Sequence, residues 1–210
     1  MATRLQLLNR IADDIGRSDL STQISEAVAD ALRYYEGERF HFNAFYRLTA
    51  TISAGASIVP LSTLGVTPLI VDRVALQRNS SYWAEMEEVG AEQLENLRDV
   101  VLSTEPIYWA HVGDNLQFDC SAQANYAIVV DGVKSVASAS ASASDGDTSA
   151  WYNEARDLIR AAAKKSLYLN VIKEDDEAQR AQMAEAEALK WLRSKTVNKR
   201  ATGYTRPQRF

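Results

Sequence analysis

The chain has one cysteine (Cys120), two histidines, four prolines and nine glycines in 210 residues, and each scarcity closes off a class of chemistry. A lone cysteine makes no internal disulfide, so the fold must hold without covalent staples, as in a protein made in a reducing compartment. His41 and His111 add too few ligands to Cys120 for a zinc site. Glycine never falls at the spacing of a GxxxxGK[ST] or GxGxxG phosphate loop, which argues against nucleotide chemistry. No apolar run approaches the roughly 18 to 20 residues needed to cross a bilayer. The N-terminus is broken by Gln6, Asn9 and Arg10 and does not read as a signal peptide, so no export is expected.

A nucleophile needs a base beside it and an acid to orient that base. His41 lies among aromatic residues and His111 beside Trp109 in an expected strand, so both read as packing or surface histidines. Cys120 ends a strand pattern and reads as a small buried hydrophobe. No catalytic, cofactor-binding or metal-binding set emerges, and the chain reads as a structural protein with no cofactor.

What is present is enough apolar material for a core, 46% of residues, and a lopsided charge. Seven of the 23 basic side chains (Lys190, Arg193, Lys195, Lys199, Arg200, Arg206 and Arg209) lie at or beyond residue 190 with no acidic residue among them. The first 189 residues therefore carry 16 basic against 28 acidic side chains. An acidic body precedes a basic tail.

Leu5, Leu8, Ile11, Ala12 and Ile15 recur at helical spacing and Gly16 follows as a C-terminal cap. Ser18 or Asp19 can cap a second helix whose face is Leu20, Ile24, Ala27, Val28, Ala31, Leu32 and Tyr35. Phe40, Phe42, Phe45 and Tyr46 form an aromatic exit that needs shelter. From about residue 40 to 133 the composition turns to Thr, Ile, Val and Tyr, with turn residues at Gly55, Pro60, Gly65 and Pro68. Strands are expected over 69–76, 107–112, 116–120 and 126–130, with Gly113-Asp114-Asn115 as a hairpin turn between the middle pair. Within this region, residues 81–99 have helical composition and six carboxylates, and predict a short acidic helix interrupted near Gly90. The bland reading of those carboxylates is a solvated helix face.

Residues 135–147 alternate Ser and Ala and offer too little apolar surface to offset backbone ordering, which predicts a flexible loop. Asp147 or Thr148 can cap the next helix, with Trp151, Ala155, Leu158, Ile159, Ala162 and Leu169 on one side. Asp175-Asp176 open another, with Ala178, Ala181, Ala184, Ala188, Trp191 and Leu192 as its apolar stripe. The fold expected is α+β but mainly helical, a small helical bundle with a β-rich insertion. Its segments are N-terminal helices over 1–38, the insertion over 39–134, the loop over 135–147, a C-terminal helix pair over 148–195 and an extended basic tail over 196–210.

The tail suits either nucleic-acid binding through counterion release or docking of an extended arm onto an acidic protein surface. Gly203 and Pro207 prevent a helix while Tyr204 and Phe210 supply anchors, which favours protein docking. A nucleic-acid-binding regulator using this tail is the alternative, and it predicts salt-dependent affinity of the isolated chain for duplexes.

Two stretches carry a family resemblance. Arg10-Ile11-Ala12-Asp13-Asp14-Ile15, the helix over 23–35 and Glu38-Arg39-Phe40-His41-Phe42-Asn43 make the first. Residues 151–172 and 183–200, followed by Ala201-Thr202-Gly203-Tyr204-Thr205-Arg206-Pro207-Gln208-Arg209-Phe210, make the second. Together they resemble the head-tail connector (adaptor) proteins of tailed bacteriophages, over a little more than half of the chain. The acidic segment and the Ser/Ala repeat are not part of the resemblance.

The resemblance implies a homo-oligomeric, dodecameric ring beneath the portal protein, located in the virion neck after synthesis in the host cytoplasm. It implies a next neck or tail-completion protein below the ring, and duplex DNA passing through without sequence-specific binding or any membrane. An acidic body and a basic arm would supply the two unlike patches that a closed ring requires. On that reading Lys199, Arg200, Tyr204, Arg206, Arg209 and Phe210 bind the portal, and Glu85, Glu88, Glu92 and Glu95 line the channel.

Overall fold

A computed structural model of the chain describes residues 3–78, 82–100, 105–135 and 149–201. In chain order the elements are α1 (Arg4–Ile15), α2 (Ser21–Tyr35), β1 (Ala44–Ile52), β2 (Ile58–Pro60), a 3-10 turn (Leu61–Leu64), β3 (Pro68–Gln77), β4 (Trp83–Glu85) and β5 (Glu87–Glu88). There follow α3 (Ala91–Val100), β6 (Tyr108–Val112), β7 (Asn115–Phe118), β8 (Tyr126–Lys134), α4 (Ala150–Glu154), α5 (Arg156–Leu167), a π turn (Tyr168–Ile172) and α6 (Asp175–Ala201). They fall into two compact units, a helical one of Met1–Asn43 with Val136–Phe210 and a sheet unit of Ala44–Ser135.

In the helical unit, α1 starts on a capping box between Thr3 and Gln6 and stops at Gly16, whose φ of 65° takes the left-handed cap. The expected side-chain cap of α2 is not made. Asp19 is held instead by the Arg17 guanidinium, with two contacts of 2.8 Å, and Leu20 stands at the cap position. Ser149 caps α4 by accepting from Trp151 N at 3.2 Å. Asp147 and Thr148 lie outside the described residues, as does the expected Ser/Ala loop from residue 136 on. Leu7, Ile11, Ile24, Val28, Leu32, Leu158, Ile159 and Leu192 share one core. Only part of the aromatic exit finds its shelter there: Phe40 and Phe42 stack, with centroids 5.5 Å apart, and both meet the Trp151 ring edge to face, whereas Phe45 is buried in the core of the sheet unit and Tyr46 stays exposed.

α6 buries Ala178, Ala181, Glu185, Leu192 and Thr196, a seam at spacings of three, four and seven. The seam runs past the point where the apolar stripe fades, because Thr196 donates to Leu192 O at 2.9 Å and accepts from His41 N at 3.2 Å. Residues 196–201 are therefore helical rather than extended.

The sheet unit has two four-stranded sheets, ordered β1-β8-β3-β4 and β2-β7-β6-β5. Both feed one core that includes Phe45, Ile52, Val59, Val74, Trp109, Leu116, Phe118, Ile128 and Val130. β8 lies between β1 and β3, antiparallel to each. Gly132 pairs with Phe45 on one side and Val71 on the other, and a Cβ there would stand 2.2 Å from Ile70 O. Glycine is thus required by close approach rather than by backbone angle. β6 and β7 form the expected hairpin, with Gly113 at φ 58° in its turn.

Two expectations need correction. The chain is α+β with a sheet-built core of its own, not mainly a helical bundle. Runs of two to five residues, such as β2, β4 and β5, carry too little periodicity to reveal that two sheets bury each other's faces. Helical composition also misleads over 82–89, which forms β4 and β5. Met86, 6% exposed, donates its N–H to Val74 O at 2.9 Å, and this edge pairing outweighs the local propensity. Only the part after Gly90 becomes the acidic helix α3, anchored by the fully buried Leu94.

Candidate functional site

The carboxylates expected along a channel occupy consecutive elements of the sheet unit. Glu85 ends β4, Glu88 ends β5, and Glu92 and Glu95 lie on α3, all four exposed. Glu85 differs from the rest because Arg73 Nε lies 3.2 Å from it, while the same guanidinium reaches Asp131 at 3.5 Å. Arg98, on the same helix as Glu92 and Glu95, turns away from them and donates to Phe118 O at 2.9 Å.

The expected tail contacts divide at the end of α6. Lys199 is exposed on that helix, and its charge bears on both His41 and Glu154. Arg200 belongs to the helix by its backbone. Tyr204, Arg206, Arg209 and Phe210 lie outside the described residues.

Sequence reasoning missed the polar fastenings that present this helix end. Glu185, 6% exposed, accepts from Tyr35 OH at 2.6 Å and from Lys165 Nζ at 2.5 Å, which ties α6 to α2 and α5. Burial, reinforced by Glu185, pushes the Tyr35 phenol well above its ordinary value. Asp14 at the end of α1 takes a two-pronged contact from Arg160 and lies 3.4 Å from Lys164. Burial works to raise the Asp14 carboxyl, but the hydrogen bond from Arg160 and the two positive charges prevail and lower it.

Nearer the C-terminus, Arg193 forks onto Glu38, and Lys195 donates to Glu154 at 2.5 Å. His41 Nε2 lies 3.4 Å from the same Glu154 oxygen with its side chain 9% exposed. Burial, helped by the Lys199 and Lys195 charges, holds the imidazole below its ordinary pKa against the pull of Glu154. The hydrogen bond from Lys195 is the main cause that lowers Glu154. The only signal for these contacts in the sequence is a carboxylate, Glu185, among alanines at a seam position.

Trp191, expected in the apolar stripe, lies beside the buried seam of α6 rather than in it. It is 58% exposed, because the true seam passes through Glu185, Leu192 and Thr196. Lys195 Nζ sits 4.8 Å from its ring centroid. Among the described residues no group of three or more His, Cys, Asp or Glu side chains is placed to hold a metal ion. Burial, with the Asp119 and Glu105 charges, pushes the Cys120 thiol up to about 11, far from the thiolate that nucleophilic chemistry needs. No described helix is long and apolar enough to cross a membrane.

The described residues thus form a clamped helical unit ending in a cationic helix terminus, joined in sequence to a sheet unit with an acidic flank. A sequence profile of the SU10 adaptor protein family matches residues 2–209, and the chain belongs to that family of phage adaptor proteins. Among curated proteins none matches the chain.

Proposed function

We propose that this chain is the ring-forming head-tail adaptor of a tailed phage. Copies of it close a dodecameric ring under the portal protein in the virion neck. The ring joins the capsid to the tail through the next neck or tail-completion protein, and continues the channel for duplex DNA. Lys199, Arg200, Tyr204, Arg206, Arg209 and Phe210 carry the attachment to the portal. Exposed carboxylates at Glu85, Glu88, Glu92 and Glu95 face the passing DNA, where a negative wall discourages adhesion.

The observation that carries this reading, beside the family, is the way α6 is held. Glu185, Arg193 and Lys195 fasten a 27-residue helix to the rest of its unit, so the segment that follows Ala201 leaves from a fixed point. An arm launched from a rigid support loses less freedom on docking than one launched from a loop. Truncation after Ala201 should leave thermal unfolding within about 1 kcal/mol of wild type, since no residue of the described core is removed, yet abolish co-assembly with portal rings. A truncated chain that joins the portal normally would reject the assignment. One that loses only duplex affinity would promote nucleic-acid binding in its place.

A further inference from the structure

Every fourth residue along one side of α6 gives a single row, Met183, Glu187, Trp191, Lys195 and Lys199. Side chains four apart lie one above the other on a helix, so the row stands as one ridge. Met183 is 72% exposed and Trp191 58%, apolar surface that the described residues leave uncovered. Hollows open on either side of the indole. One, of about 400 Å³, lies toward the middle of the helix against α4 and α5, with Glu154, Asp157 and Glu187 in its walls and Ala184 and Ala188 beneath. The other lies toward the helix end and is lined by Lys195 and Lys199 with Ser194 and Asn198.

The order of charge along the ridge selects the partner. Acid stands before the indole and base after it, with Glu187 and Lys195 each four residues from Trp191, about 6 Å along the helix axis. A uniformly cationic or anionic partner would meet like charge over half of this length. A second copy of the same ridge, turned end for end about Trp191, meets the opposite charge over all of it. Glu187 then faces Lys195 of the second copy, and the reverse contact repeats by symmetry, as an isologous interface requires.

The side chains are ready for such a contact. Glu187 is exposed and makes no ion pair among the described residues. Asp157 is 75% exposed, and its ion pair is with its sequence neighbour Arg156, at 3.8 Å. Lys195 is already held in place, by Glu154 at 2.5 Å and 4.8 Å from the centroid of its own indole, so it loses little freedom on docking. The hollow over Ala184 and Ala188 receives Trp191 of the second copy as the central aromatic anchor.

We infer that this ridge is a self-association surface, through which two copies of the free chain pair with α6 antiparallel to α6. An isologous contact closes at two copies and builds no ring, so the inference stands apart from the proposed function and is tested without a portal. One helix ridge is a small interface, and the dissociation constant should be on the order of 10 µM.

Sedimentation of the full-length free protein between about 1 and 300 µM should show a monomer–dimer equilibrium. Trp191→Ala should weaken it about tenfold or more. Glu187→Lys and Lys195→Glu each set like charges face to face and should do the same. Mixed in equal amounts, those two variants should pair again, because each supplies the charge that the other lacks. Tm reports the folding of every variant. Trp191 and Glu187 are exposed, so their variants carry the test even where Lys195→Glu loses stability with its Glu154 contact. A wild-type chain still monomeric at about 300 µM, a dimer that survives Trp191→Ala, or a mixture of folded variants that fails to pair would overturn the proposal. Association that continues beyond two copies would also overturn it and give the ridge to a head-to-tail contact.

Discussion

Tyr35 donates its hydroxyl to Glu185 Oε1 across 2.6 Å, 150 residues apart in sequence, inside the helical unit. The contact makes a charged residue the fulcrum of α6. Lys165 supplies the opposite charge from α5, so the buried carboxylate is both paired and hydrogen-bonded. Tyr35→Phe removes one partner and should cost about 1 kcal/mol. Glu185→Ala strands a hydroxyl and an ammonium together, and should cost roughly 1 to 3 kcal/mol, moderated because Lys165 keeps 31% of its side chain in solvent. Urea unfolding of the two single variants and the double variant measures the coupling. Additive losses would show that the two groups do not interact.

Acid should loosen the region around His41 before it affects the rest. The folded imidazole sits below the ordinary 6.5, so the unfolded chain binds the proton more readily. Its stabilising contribution is complete above about pH 6.5 and is lost as pH falls through the lowered value. Glu154 and Asp14, both below their ordinary 4.5 and 3.8, add losses of the same sign at lower pH. Tm should therefore fall between pH 7 and 5, and His41→Phe should flatten that first step while leaving the later one. An unchanged slope in the variant would remove His41 from the account.

Gly132→Ala should be the most damaging single-methyl change in the sheet unit. The new Cβ meets a backbone carbonyl at 2.2 Å and the Phe45 ring at 2.7 Å, and β8 cannot retreat while paired on both sides. A cost of about 1 to 3 kcal/mol follows from such overpacking. Gly37→Ala, with nothing within 4 Å and no positive φ, is the control and should be near neutral. Equal effects at the two sites would contradict the close approach.

Neutralising Glu88, Glu92 and Glu95 to Gln should leave unfolding within about 0.5 kcal/mol of wild type, since all three are exposed. If these carboxylates face DNA as proposed, the same change in assembled particles should slow DNA passage by adhesion. Glu85→Gln also breaks an exposed pair with Arg73, which adds at most about 1 kcal/mol. Normal ejection by the triple variant would take these residues off the channel wall.

The sequence made the helices readable where a stripe and a cap coincide, as in α1 with Gly16, and the β6–β7 hairpin where Gly113 marks the turn. The resemblance carried by both ends of the chain matches the family over residues 2–209. Two kinds of information stayed hidden. Strand β4 owes its state to a partner strand, β3, and no local pattern reports that. Trp191 looked like core because alanine and tryptophan extend one stripe, whereas the helix rotates to bury Glu185 once Tyr35 and Lys165 are there to receive it. The clamps at Glu185 and Glu154 depend on partners from remote segments, so only the folded chain reveals them.

The register of β1 on β8 has a consequence for how such a chain evolves. Ala44, where the path enters the sheet unit, pairs with Val133, two residues before it leaves at Ser135. Entrance and exit are thus neighbours across a single ladder, roughly 5 Å apart. The sheet unit thus begins and ends on one rung, so an exchange of the residues between these two strands for a body with the same end spacing would leave the distance between entrance and exit unchanged.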